Sequence, residues 1–243
     1  MSHPHREPAP EGVEIGPVAQ HLLLENEDVK IWQVDTPSQE TFGHHYHDYD
    51  YVLFYTSDML GAVYHANEEH DRVWRSRLES GETLDESLGG WCYEHGVNFI
   101  PGSGFLSPGY ANLSEHAFTA ALIEIKRPRR PDQEGVGFSR SDALVGLPPR
   151  PGTTMLLEND RVRVFETVLA PGEQSERRTP IDTAVYVIDG GPVRATQKDS
   201  ERGEVTHDDV RPSASGVWLA GGQQHRVENR GPTAYHELSV ELK

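Results

Sequence analysis

Residues 21–32 read HLLLENEDVKIW, and residues 154–165 read TMLLENDRVRVF. Positions 23–32 against 156–165 share Leu, Leu, Glu, Asn and Val in register. The two stretches also end alike, with IEIK at 123–126 and VELK at 240–243. A chain that repeats itself at so long a period reads as two copies of one small domain. The repeat restricts the fold to units of about 100 residues, each able to bury its own core.

The copies fix the expected organisation. Residues 1–18 are polar and Pro-rich and read as a flexible arm. The first unit spans 19–126. A Pro-, Arg- and Gly-rich linker covers 127–152 and crosses the surface, and the second unit spans 153–243. Leu156 follows Leu23 by 133 positions, but Lys243 follows Lys126 by only 117, so the first copy holds a net 16 extra residues. These are expected between positions 62 and 104, in the acidic stretch NEEHDRVWRSRLESGETLDESLGG.

Within each unit the pattern is β. Runs at 29–34, 49–55, 97–100, 120–125, 162–168, 184–188, 216–219 and 238–242 are short and rich in β-branched or aromatic residues. Gly and Pro punctuate them, and no long stretch carries a 3.6-residue apolar period. Short strands at this spacing predict an all-β sandwich or barrel in each half.

Charge narrows the function classes. The formal net charge is -17, which repels phosphate backbones and anionic lipid, so neither nucleic acid nor membrane is an expected partner. Cys92 is the single cysteine, so no intrachain disulfide can form. The first residues lack the apolar core of a signal peptide, and no run approaches the ~18 apolar residues of a membrane span. A cytoplasmic protein is the expectation. A homodimer is left open.

The chemistry-bearing motif is Gly43-His44-His45-Tyr46-His47-Asp48-Tyr49-Asp50-Tyr51. Alternate residues of a strand share a face, so His45 and His47 can converge on one ion. Tyr49 and Tyr51 fall on that same face if the strand is regular. His44, Tyr46, Asp48 and Asp50 fall on the other. In the second half Ala220-Gly221-Gly222-Gln223-Gln224-His225-Arg226-Val227-Glu228-Asn229 stands before the closing strand. With these two segments the chain resembles the cupins, and its doubling resembles a bicupin: two tandem double-stranded β-helix (jelly-roll) barrels. The family's first motif has Gly, His-x-His and then Glu; its second has Pro-x-Gly-x-x-His-x-x-x-Asn.

The departures from that pattern matter as much as the matches. Tyr51 stands where the family has its acidic ligand, and Pro108 stands where the first copy should hold its motif-two His. In the second copy, anchoring on Asp50 and Asp182 puts Arg177 and Thr179 at the His-x-His positions. Anchoring on Pro37 and Pro171 puts Thr179 and Ile181 there, and neither register supplies an imidazole. His225 is left alone and reads as a retained core histidine.

The resemblance therefore implies one centre, in the first barrel. His45 and His47 are its expected metal ligands. Tyr51 is expected as third ligand or as catalytic acid or base, and His95 and His116 are further candidates for a third ligand. Tyr49, Tyr110 and Asn112 are the expected substrate-facing residues, although the family Asn also braces a turn. Fe(II) is the first expectation for the ion, with Zn, Mn, Ni or Cu as alternatives. The implied activity is oxygenase chemistry on a small organic molecule. A non-redox isomerase, cyclase or lyase and a non-catalytic binding protein remain as alternatives.

Overall fold

In the computed structural model, residues 6, 8–9, 11–64, 90–92, 94–102, 104–107, 109–133, 139–141, 151–175, 181–199, 203–222 and 224–243 are described. The first half contributes β1 (His21–Glu25), β2 (Val29–Thr36), β3 (Thr41–Phe42), β4 (His45–His47), β5 (Asp50–Tyr55), β6 (Met59–Tyr64), β7 (Gly90–Cys92), β8 (Val97–Ile100), β9 (Phe105–Ser107), β10 (Gly109–Asn112), β11 (Phe118–Ile125) and β12 (Ser139–Ser141). The second half contributes β13 (Gly152–Glu158), β14 (Val162–Leu169), β15 (Thr183–Asp189), β16 (Gly191–Asp199), β17 (Gly203–Arg211), β18 (Ser215–Leu219), β19 (Gln224–Asn229) and β20 (Tyr235–Leu242). Among the described residues no helix is long and apolar enough to cross a membrane.

The repeat written in the sequence is a repeat of topology. The large sheet of the first half runs β1-β2-β11-β5-β8-β12, and that of the second runs β13-β14-β20-β15-β18. The smaller sheets run β3-β10-β6-β7 and β17-β16-β19, and β4 pairs with β9.

The shared Leu-Leu-Glu-Asn-x-x-Val motif has a local physical role. β1 and β13 each carry a register shift at the same place, between Leu22 and Leu24 and between Met155 and Leu157. The following Asn26 accepts the backbone N–H groups of Asp28 and Val29 on its side-chain oxygen, closing the turn into β2. Asn159 does the same for Arg161 and Val162. The terminal lysines complete the match: Lys126 binds Glu25 and the Asn26 carbonyl, and Lys243 binds Glu158 and the Asn159 carbonyl.

Strand parity decides which residues meet. In β11, Ala121, Ile123 and Ile125 point away from the first barrel, while Phe118, Ala120 and Leu122 point into it. In β5, Val52 and Phe54 point out, and Tyr51, Leu53 and Tyr55 point in. The outward faces of both large sheets pack on each other. They form one apolar core that includes Val29, Ile31, Phe54 and Phe99 from one half and Leu156, Val164, Leu238 and Val240 from the other. Replacing Phe54, which is fully buried in this shared core, with Ala is expected to cost about 3–5 kcal/mol. The loss should appear in urea unfolding as one shifted transition for both halves rather than as a separate early phase.

The segments outside the barrels are partly anchored. Ile15 bridges to His44, the Gly16 N–H donates to the His44 carbonyl at 2.8 Å, and Ala19 is buried, so the expected arm lies against the first barrel along this stretch. Arg6 reaches Asp48. At the start of the expected linker, Gln133 is buried and donates to the Asp160 carbonyl at 2.6 Å.

The junction between the halves turns on Asp50. Its carboxylate accepts from the Gly102 N–H at 2.9 Å, from Arg129 at 2.6 and 3.0 Å, and from the buried Arg161 Nε at 3.0 Å. Gly102 has no substitute here, because a Cβ would lie 1.9 Å from the Tyr49 carbonyl oxygen. Asp182 repeats the arrangement, accepting from Gly221 N–H at 2.6 Å and from Arg127 at 2.7 Å. This match favours the Asp50/Asp182 register between the copies. The corresponding His-x-His positions, Arg177 and Thr179, lie outside the described residues, as do Pro108 and most of the acidic stretch of the first copy.

Candidate metal centre

β4 carries the two histidines inward, and both rings are buried, 4% and 3% exposed. Their Nε2 atoms approach to 3.1 Å. His45 Nδ1–H donates to the Gly43 carbonyl at 3.0 Å, which leaves its Nε2 lone pair facing His47. His47 Nδ1 is buried with no hydrogen-bond partner. Burial pushes both imidazoles toward the neutral form. The His47 pKa falls to about 2, with the charge of His45 as a second cause, and His45 is lowered by burial despite the Gly43 carbonyl. Two neutral imidazoles with nitrogens this close are suited to chelation. Both nitrogens could reach one ion at the usual metal–imidazole distance of about 2.0–2.1 Å.

The aromatic lining is dense. Phe42 meets His45 edge-on at 5.0 Å, Phe105 lies 5.1 Å from His47, and Tyr110 stacks on Phe42 at 5.2 Å. The Tyr110 hydroxyl shares a hydrogen bond with Thr36 Oγ1 at 3.2 Å. Tyr110 thus lies in the barrel wall, one ring away from His45.

Tyr51 stacks face to face on His47, with centroids 3.9 Å apart and planes 11° apart. The stack holds the phenol in a plane nearly parallel to the imidazole. Burial, with the neighbouring Glu124 charge, also raises the phenol pKa well above its ordinary value, so Tyr51 stays neutral. Tyr51 thus covers one face of the His47 ring.

Four other candidate residues face elsewhere. Tyr49 does not continue the alternation, because the strand is interrupted between β4 and β5; its ring faces the Lys30 ammonium at 5.6 Å. Asn112 is fully buried, and its amide donates to the carbonyls of Thr36, Pro37 and His116 while its oxygen accepts the Ser114 N–H. Asn229 makes the equivalent set with Leu169, Thr233 and Gly231. Asn112 is therefore a turn brace rather than a substrate-facing group. His116 Nε2–H donates to the Asp58 carbonyl at an exposed site, 3.0 Å away. His95 lies outside the barrel, bonded to Glu166.

Glu124 is the residue that sequence reasoning missed. It faces into the barrel from β11, directly across from Tyr51 in the strand register, and is 3% exposed. The Trp32 indole N–H donates to it at 2.8 Å. Burial pushes its carboxyl pKa up, and the Trp32 bond and Lys30 charge pull against that. The Lys30 ammonium lies 5.8 Å from the Trp32 ring. The alternation of 118, 120, 122 and 124 could have flagged a carboxylate on the inner face.

Among the described residues, no third His, Cys, Asp or Glu joins the His45–His47 pair at ligand spacing. The described residues of the first barrel thus offer two imidazole nitrogens to a candidate metal site. In the second barrel the inward polar groups differ: Arg211 Nη1 donates to the Tyr235 hydroxyl at 3.0 Å and to Glu237 at 3.1 Å, and the Tyr235 hydroxyl donates to Glu237 at 2.6 Å. His225 is buried there, its Nε2 lying 3.4 Å from the Ala220 carbonyl.

No protein-family model matches the sequence, and no curated protein matches it. Solved structures do. Oxalate decarboxylase of Bacillus subtilis, a protein with Mn(II) centres, is similar with a TM-score of 0.59 at 11% identity, covering 89% of this chain and 69% of that one. AerE of Microcystis aeruginosa gives 0.59 at 7% identity over 93% of this chain and 94% of that one. The 11S allergen of Cocos nucifera gives 0.59 at 10% identity over 89% and 81%. Identities this low speak for the fold alone, and together with the duplicated sheet order they show that the chain has a doubled cupin-type β fold.

Proposed function

We propose that the first barrel is a metal-dependent catalytic centre for a small organic molecule and that the second barrel is its structural partner. The observation that carries this reading is the pair of buried, neutral imidazoles whose Nε2 atoms stand 3.1 Å apart. His45 and His47 would hold a divalent first-row ion, with Fe(II) as the favoured species and Mn(II) as the alternative raised by the decarboxylase likeness. When bound, the ion would supply Lewis-acid polarisation of a substrate oxygen or, as Fe(II), activation of O₂.

The protein's own groups have separable roles in this reading. Phe42, Phe105 and Tyr110 exclude water and orient an apolar part of the substrate. Tyr51 fixes the His47 ring by stacking and offers a neutral O–H. Glu124, with its carboxyl pKa raised by burial, gives or takes a proton at the substrate. That last feature favours a second reading, a non-redox lyase or isomerase in which Glu124 and Tyr51 carry the proton transfer. Dependence of turnover on O₂ separates the two.

The test is metal content. The His45→Ala/His47→Ala variant is expected to fold and to lose one equivalent of metal per chain by elemental analysis, together with activity. A folded double variant with the metal content of the parent would remove the proposed centre.

A further inference from the structure

Outside the barrels, three ligand-type side chains meet at the edge of the shared core. His95 sits in the turn between β7 and β8 of the first half, held at a φ of 65° with its N–H donating to the Tyr55 carbonyl at 2.9 Å. Glu166 on β14 and His236 on β20 belong to the second half and lie on the outward face that carries Val164 and Leu238. His95 Nδ1 lies 2.8 Å and His236 Nε2 2.9 Å from the same oxygen, Glu166 Oε1. All three are buried, and their ligand atoms fall within 4.8 Å of one another.

The surroundings favour a cation. Behind each imidazole stands a carboxylate: Glu94 is 3.8 Å from His95 Nε2, and Asp189 is 3.8 Å from His236 Nδ1. At that separation they bring negative charge to the site rather than a direct hydrogen bond to the rings. Glu94 and Asp189 are also largely exposed, so they form an acidic rim through which an ion can arrive.

The fold itself does not require these residues. By the register of the two copies, the counterparts of His95, Glu166 and His236 are Ala214, Gln33 and Thr119. Ala214 keeps the left-handed backbone of His95, with a φ of 52°, but offers no ligand. One corner of the interface therefore carries two imidazoles and a carboxylate, and the equivalent corner carries none.

We propose that His95, Glu166 and His236 form a second divalent-metal site, distinct from the barrel pair, that staples the two repeats together. Two imidazoles and a carboxylate suit Zn²⁺, Co²⁺ or Ni²⁺. The role is structural, because the site joins elements of both halves beside the apolar core.

The experiment uses the full-length His45→Ala/His47→Ala protein, stripped with chelator, so that the barrel pair cannot contribute. Titration with Co²⁺, followed by its visible absorption, is expected to show one ion per chain. Zn²⁺ at about 100-fold excess over its Kd is expected to raise the melting temperature by about 5–10 °C. Adding Glu166→Gln, which keeps the hydrogen-bond acceptor, should weaken Co²⁺ binding by at least the roughly 10–100-fold that loss of an outer-shell partner alone costs. Should the Glu166→Gln protein not fold, the stoichiometry of the His45→Ala/His47→Ala protein decides alone. A folded protein of that kind that takes up no Co²⁺, or that binds it equally with Gln at 166, overturns the proposal. Neither result bears on the barrel centre, which these variants lack.

Discussion

Asp50→Ala is expected to destabilise the protein by about 3–5 kcal/mol at neutral pH, measured by urea unfolding. The Asp50 side chain is 4% exposed, and that of Arg161, its partner across the junction of the halves, is 3% exposed. Truncating the acid leaves that guanidinium buried without its counter-charge, and it also strips the Gly102 N–H of its acceptor. Asp182→Ala is the matched control. It removes the same kind of bond in the second copy, but both Asp182 and Arg127 have side chains 31% exposed, so about 0–1 kcal/mol is expected. Replacing both partners, as Asp50→Leu with Arg161→Met, should recover part of the loss, because the cost lies mainly in the stranded charge. Equal effects of Asp50→Ala and Asp182→Ala would contradict this account.

Glu124→Gln is expected to lower turnover by about 10²–10⁴-fold while metal content and melting temperature stay close to the parent's. The substitution keeps the size of the side chain and an acceptor for the Trp32 indole, and it removes the exchangeable carboxyl proton. Steady-state rates across pH would show the same change, because a limb set by the raised Glu124 carboxyl disappears in the variant. Turnover unchanged by the substitution would leave Tyr51 and solvent as the proton carriers and would remove Glu124 from the mechanism.

The fold was largely readable because its signals are local. Turn residues and β-branched runs placed eight strands close to their observed bounds, and the echo marked a bulged hairpin whose Asn closes the turn in both copies. His45 and His47 were legible for a related reason: a two-residue period alone puts them on one face. Tyr49 was misplaced because that period was extended through Asp48 and Tyr49, where the strand is interrupted. Glu124 was hidden because β11 is buried on both faces, and a strand of that kind shows little alternation of apolar and polar residues. The cluster of His95, Glu166 and His236 was beyond reach, since its members lie 71 and 70 residues apart and belong to different copies. Only the packing of one sheet on the other brings them together.

That packing also changes how the molecule responds to dilution. Two separate chains joined through such apolar faces would fall apart as their concentration dropped, and their melting would drift with it. Here one covalent chain carries both faces, so they meet at an effective concentration on the order of millimolar however thin the solution. The pairing of the repeats is thereby first-order in protein, and each barrel keeps its wall when the molecule is scarce.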